Sequence, residues 1–167
     1  MPEITVHAIE PADLPDVSNL HARAFGPGRF ARTAYRIREG TLLISPFCLL
    51  AEVSGELVAA IRFTEVTIGG KPGGLLLGPL AVEARYAGLG YGRRLVADGI
   101  ENARKAGIKL ILLVGDEPYY DRFGFKRVPT GRIRLPGPAD PARILAAELE
   151  EGALAQYEGM VEAAGVG

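Results

Sequence analysis

Leu75-Leu76-Leu77-Gly78-Pro79-Leu80-Ala81-Val82 is followed, after Glu83, by Ala84-Arg85-Tyr86-Ala87-Gly88-Leu89-Gly90-Tyr91-Gly92-Arg93-Arg94-Leu95. The first stretch is apolar at both alternating sets of positions, which predicts a strand buried inside a sheet. The second reads as a loop turning into a helix over 90–106. Gly88, Gly90 and Gly92 are spaced G-x-G-x-G at that entry, and glycine lets a ligand come close to the backbone. The first N–H groups of a helix have no internal partner, and the helix dipole adds positive potential there. Together they favour phosphate. Arg93 and Arg94 fall in the first turn, where cations oppose the dipole, and a bound anion relieves that conflict. A solvated arginine face accounts for the same pattern at a cost of about a few tenths of a kcal/mol.

The loop is neither of the two common phosphate motifs. The dinucleotide fingerprint G-x-G-x-x-G/A fails, because the sixth residue is Arg93 counted from Gly88 and Leu95 counted from Gly90. No G-x-x-x-x-G-K-[ST] occurs, which sets aside nucleoside triphosphate chemistry of the P-loop kind. The preceding strand carries a second signal. Proline cannot donate to a ladder, so Gly78-Pro79 predicts a bulge or splayed pairing. If strands 75–82 and 109–114 diverge there, a slot opens in which backbone groups of Leu80 and Val82 can bond an amide-containing ligand. A third signal is Tyr119-Tyr120-Asp121-Arg122-Phe123-Gly124-Phe125, a short helical turn that carries a tyrosine hydroxyl suited to proton delivery.

Outward from this centre, residues 4–9 predict a first strand, and Leu14, Val17, Leu20 and Ala24 recur at helical spacing up to about Phe25. A second helix is expected over 29–39, carrying Arg29, Arg32, Arg36 and Arg38. Residues 48–53 and 57–68 read as strands joined through Ser54-Gly55, and Gly69 to Gly74 reads as a loop tip. Leu95, Val96, Gly99, Ile100, Ala103 and Ala106 mark one face of the long helix, with Glu101 and Lys105 as an i,i+4 pair outside. A strand at 109–114 and another from Phe125 to Val128 follow. Ala142 to Glu151 suits helix and strand equally. With no linker or repeat, residues 1–167 form one mixed α/β domain.

Composition bounds the function. The chain has 167 residues, with 19 Lys and Arg against 20 Asp and Glu, for a net charge of -1. That balance argues against a nucleic-acid partner held by overall charge. One Cys, Cys48, and two His, His7 and His21, leave no local zinc motif, so no metal is expected. No apolar run approaches the ~20 residues that span a bilayer, and the first residues lack a signal peptide's pattern, so no membrane partner and a cytoplasmic location are expected. Glycine stands out at 22 residues, about twice the usual share.

Taken in order, these motifs resemble the GCN5-related N-acetyltransferase (GNAT) superfamily, most densely over residues 75 to 128. The family's V-x-P-x-x-[QR]-G-x-G-[IV]-G corresponds to Val82-Glu83-Ala84-Arg85-Tyr86-Ala87-Gly88-Leu89-Gly90-Tyr91-Gly92, and YY-x-R-F-G-F is similar to its F-Y-x-x-x-G-F. The LLLGPLAV strand with the GD-x-x-YY run resembles a YhbS-like bacterial subgroup. Ala84 stands where proline is frequent, and Ala87 where Gln or Arg is usual.

The resemblance implies a mixed, mainly antiparallel sheet with helices on both faces, splayed between the central strands. It implies acetyl transfer from acetyl-CoA, the acyl donor, to a primary amine on a small molecule or peptide. Leu80, Ala81 and Val82 would hold the pantetheine arm. Ala87, Gly88, Leu89, Gly90, Tyr91, Gly92 and Arg93 would hold the pyrophosphate. Tyr120 matches the position that protonates the departing sulfur. The amine's proton needs a base, for which Glu65 is the first candidate and Asp116 the second; each is otherwise an ordinary surface acid, and Asp116 a helix cap. Cys48 reads as a buried small hydrophobe. A non-catalytic CoA-binding sensor on the same fold is the alternative, favoured by Ala87. A longer acyl donor and a homodimer through the tail after Pro136 stay open.

Overall fold

A computed structural model of the chain describes residues 4–25, 45–137 and 139–164. Its elements run β1 (Ile4–Ala8), α1 (Leu14–Phe25), β2 (Leu49–Val53), β3 (Glu56–Ile68), β4 (Lys71–Val82), α2 (Tyr91–Lys105), β5 (Leu110–Val114), α3 (Glu117–Tyr120), β6 (Lys126–Arg127), β7 (Ile133–Arg134), β8 (Ile144–Glu148) and β9 (Gly159–Ala163). The helix expected over 29–39, with Arg29, Arg32, Arg36 and Arg38, lies outside the described residues.

The sheet order is β1-β2-β3-β4-β5-β8-β6, with β9 joining β3 to β7. Among the described residues only β4–β5 and β7–β9 pair in parallel. β3 is the long spine. One edge pairs with β4 from Ala59 to Ile68, and the other is shared between β2 and β9. The gap between those two partners is closed by side chains. Ser45 Oγ donates to the Phe63 carbonyl at 2.5 Å, and the Phe63 N–H donates to Cys48 Sγ at 3.3 Å. Cys48 is thus buried as expected, and it also serves as a ladder acceptor.

Each face carries a helix. Val17 and Leu20 of α1 pack with Ala60 and Ala81 on one side. Leu95, Val96, Ile100 and Ala103 of α2 pack with Ile61, Phe63 and Leu75 on the other. Burying each Val, Leu, Ile or Phe side chain among these contributes about 1.5–3 kcal/mol. A further apolar cluster, with Val66, Ile68, Leu110, Tyr157 and Val161, sits under the C-terminal strands. The mixed, mainly antiparallel sheet covered on both faces is the architecture expected from the sequence.

Several local expectations need correction. The loop tip from Gly69 to Gly74 is a two-residue turn, because β4 already starts at Lys71. Those glycines make room for the returning chain: a β-carbon on Gly69 would overlap the Glu158 carbonyl, and one on Gly73 would stand 2.5 Å from the Tyr157 hydroxyl. Ala106 is exposed beyond the end of α2, outside its buried face. Glu101 pairs with Arg104 at 3.2 Å, one residue short of Lys105. The ambiguous 142–151 stretch forms β8, drawn into the sheet by β5 and β6. The strand expected from Phe125 to Val128 shortens to Lys126–Arg127.

Candidate functional site

The β4–β5 ladder is short: Gly74, Leu75 and Leu76 pair with Leu110, Ile111 and Leu112, and pairing stops there. β4 stays on β3 as far as Val82. The register of β3 and β4 slips between Ile61–Leu80 and Phe63–Leu77, so Gly78-Pro79 opposes Arg62 alone. This is the bulge that proline and glycine predict. Past it the two central strands diverge, as expected.

Backbone direction beyond the bulge follows from one bond. The Glu83 N–H donates to the Val58 carbonyl at 2.8 Å, extending the Ala59–Val82 register. Hydrogen-bonded and non-bonded pairs alternate in an antiparallel ladder. Glu83 and Ala81 therefore turn their backbone groups toward β3, while Leu80 and Val82 turn theirs into the split. Ala81 has nothing to offer there: its polar groups face β3 and its side chain packs beneath α1.

The mouth of the split is the glycine loop. Gly88 and Gly90 have φ of 77° and 88°, a conformation glycine adopts readily. β-carbons at either would meet nothing within 4 Å. The first helical bond runs from Arg94 N to the Gly90 carbonyl at 3.0 Å. Between Ala87, whose N–H bonds Ala84, and Arg94, the amides of Gly88, Leu89, Gly90, Tyr91, Gly92 and Arg93 bond no backbone carbonyl among the described residues. No acid occupies the first turn of α2. Arg94 is held by Asp98 at 2.8 Å, whereas Arg93 joins no ion pair among the described residues. Leu89 stands 61% exposed on the lip. A cradle of free amides at a helix N-terminus beside the Arg93 cation suits a diphosphate.

α3 forms the opposite wall. The Tyr120 ring packs edge-on against Tyr119 and Phe125, with centroids 4.8 and 5.8 Å away. It lies against Gly115, where a β-carbon would stand 2.8 Å from the ring. The Tyr119 hydroxyl reaches across toward α2, 3.6 Å from where a β-carbon on Gly92 would be. The two candidate carboxylates part company. Asp116 follows the diverging end of β5; its exposed side chain faces Arg143 at 3.4 Å and makes no helix-capping bond. Glu65 pairs with Leu75 on the closed side of the split, roughly 13 Å along β3 from the Ile61–Leu80 pair.

A sequence model of the acetyltransferase (GNAT) family matches residues 14–125. The chain belongs to the GNAT family. This GNAT chain is 34% identical over 125 residues to the uncharacterized N-acetyltransferase YjhQ of Escherichia coli K12, covering 73% of this chain and 69% of that protein. It is 27% identical over 153 residues to the uncharacterized N-acetyltransferase YhbS of the same strain, covering 91% of each. The crystal structure of Escherichia coli YhbS in complex with CoA aligns at a TM-score of 0.84 and 25% identity, over 99% of this chain and 92% of that one. A GNAT acetyltransferase from Brucella melitensis, in complex with acetyl-CoA, shares the fold at a TM-score of 0.76 and 24% identity, over 99% of each chain.

Two further residues stand beside these elements, Tyr119 on α3 near Gly92 and Arg62 on β3 opposite the bulge. Tyr119 was visible only as the first of a tyrosine pair. Arg62 is the lone cation in Leu57–Ile68, on a face otherwise apolar but for Thr64.

Proposed function

We propose that the chain transfers an acetyl group from acetyl-CoA to a primary amine by direct attack within a ternary complex. The unpartnered amides from Gly88 to Arg93, at the open end of the β4–β5 split, carry this reading. The complex of YhbS with CoA supports it. Acetyl-CoA supplies an activated thioester, and the chain's own groups do the rest. Loop amides and the α2 N-terminus hold the diphosphate, with Arg93 adding charge where Ala87 offers no polar side chain. Backbone groups of Leu80 and Val82 order an amide-bearing arm along β4. The Leu80 N–H polarises the thioester carbonyl.

The amine nitrogen forms a bond to the carbonyl carbon as the carbon–sulfur bond breaks. Tyr120 delivers a proton to the leaving sulfur. Asp116 stands on the open side of the split and Glu65 on the closed side, so Asp116 is the better placed to remove the amine's proton through water. Cys48 is committed to the Phe63 backbone, and no acyl-enzyme is needed; holding two substrates together supplies much of the rate. The deciding experiment follows thiol release from acetyl-CoA with a mixed amine panel. Amine-dependent release is expected. CoA binding without release would instead favour a sensor on this fold.

A further inference from the structure

β3 shows an interruption that the acetyl-transfer reading leaves unused. Phe63 packs against Gly99 of α2, and Ile61 joins the same cluster. Side chains alternate along a strand, so Ala60, Arg62, Thr64, Val66 and Ile68 face the opposite side, that of α1. Ala60 belongs to the cluster beneath α1, and Val66 and Ile68 belong to the C-terminal cluster. Arg62 and Thr64 break this face between two apolar clusters. The Nε of Arg62 is buried and has no hydrogen-bond partner among the described residues. Arg62 joins no ion pair among them either. Its partner across the ladder is the bulge Gly78-Pro79, next to the Ile61–Leu80 pair where the split opens.

A buried guanidinium N–H left without an acceptor is costly, even where the rest of the side chain is half-buried. The group that matches it best is a carboxylate, whose two oxygens accept a planar pair of N–H donors. We propose that Arg62 binds the carboxylate of the acceptor, so that the amine to be acetylated belongs to an amino acid or to a similar small amino-carboxylate. This rests on the acetyl-transfer reading and adds the acceptor's class to it. A cation at this point also favours the neutral, nucleophilic form of a nearby amine.

The test compares the standard amino acids with their α-amides as acceptors, and the N-acetyl amino acids with their amides as ligands in the presence of CoA. Wild type is expected to use and bind the carboxylate forms preferentially. Arg62→Met is expected to weaken them about tenfold or more while changing amide binding little, and Arg62→Lys to recover part of the loss. The thermal midpoint of Arg62→Met is expected at or above that of wild type, because a buried N–H without an acceptor is removed. CoA affinity of both proteins is measured in parallel. CoA binding with no preference for the carboxylate overturns this inference alone, as does a marked drop in stability of Arg62→Met, which would make Arg62 a structural ion. Wild type that does not bind CoA overturns the acetyl-transfer reading beneath it.

Discussion

The ring of Phe63 on β3 fills the space that a β-carbon on Gly99 of α2 would need. This contact sets how closely α2 lies on the sheet, and α2 carries the amide cradle at its first turn. Gly99→Val should force the helix outward and cost about 1–3 kcal/mol, the usual penalty for overpacking. Thermal unfolding should show a lower midpoint, and CoA affinity should fall with it. An unchanged midpoint would mean that Phe63 has another rotamer available.

Gly90 offers a cleaner separation of strain from packing. Its φ is 88° and a β-carbon there meets nothing within 4 Å. Any effect of substitution must therefore come from the backbone conformation or from the ligand. Gly90→Val should strain the turn by about 1–2 kcal/mol and turn the cradle amides out of line, lowering CoA affinity at least about tenfold. Gly90→Asn, which tolerates the left-handed region better, should retain more affinity. Calorimetry with CoA on both variants checks the order.

Residues 75–106 were legible because each boundary is marked by a residue with a backbone demand: Pro79 at the bulge, Gly88 and Gly90 at the turn, Gly107 at the helix end with φ of 85°. Local sequence hides the turn at Gly69, because Gly69 and Gly73 answer to residues 157–159, which lie far along the chain. The 142–151 stretch was undecided because its apolar spacing satisfies both periods, and the exposed edge of β5 makes the choice. Arg62 was invisible as a site because its meaning depends on the bulge opposite. Glu65 looked promising from its place on a neighbouring strand, and only the register reveals which end of the split it occupies.

Tyr157 ties the C-terminal segment to the start of β4. It is fully buried, and its hydroxyl donates to the Pro72 carbonyl at 2.6 Å. Tyr157→Phe keeps the ring but leaves that carbonyl without its donor, at a cost of about 1–2 kcal/mol. For a chain of this size the midpoint should drop by about 2–8 °C. Acetyl-CoA-dependent turnover at low temperature should change little, since the bond lies at the closed end of the sheet.

His7 on β1 makes stability respond to pH. Its Nε2 bonds Glu52 Oε1 at 2.6 Å and its Nδ1 bonds the Ala8 carbonyl at 3.0 Å. The Glu52 hydrogen bond, followed by the Ala8 carbonyl, favours the protonated ring and raises its pKa above 6.5. The contribution is therefore complete below the unfolded value and fades as pH rises through the higher folded one. The side chain is 42% exposed, so the effect should be only about a few tenths of a kcal/mol. Thermal midpoints measured from mildly acidic to mildly alkaline pH should fall more in wild type than in His7→Gln. Parallel curves would remove His7 from the account.

Tyr120 is expected to act on the rate and not on affinity. Its ring is fixed between Phe125, Tyr119 and the bare backbone of Gly115, so Tyr120→Phe should leave the wall of the split in place. If the hydroxyl protonates the leaving sulfur, the variant should lose about a hundredfold in kcat, the scale of general acid catalysis. KM for acetyl-CoA should barely move, because the ground state makes no use of that proton. The alkaline limb of the kcat profile should also shift or vanish, since the group that must stay protonated is gone. Gly115→Ala supplies the converse: it crowds the ring, keeps the hydroxyl, and should slow turnover by misplacing the proton while leaving that limb intact. Equal pH profiles and equal rates in wild type and Tyr120→Phe would reduce the residue to packing and pass the proton to Tyr119 or to water.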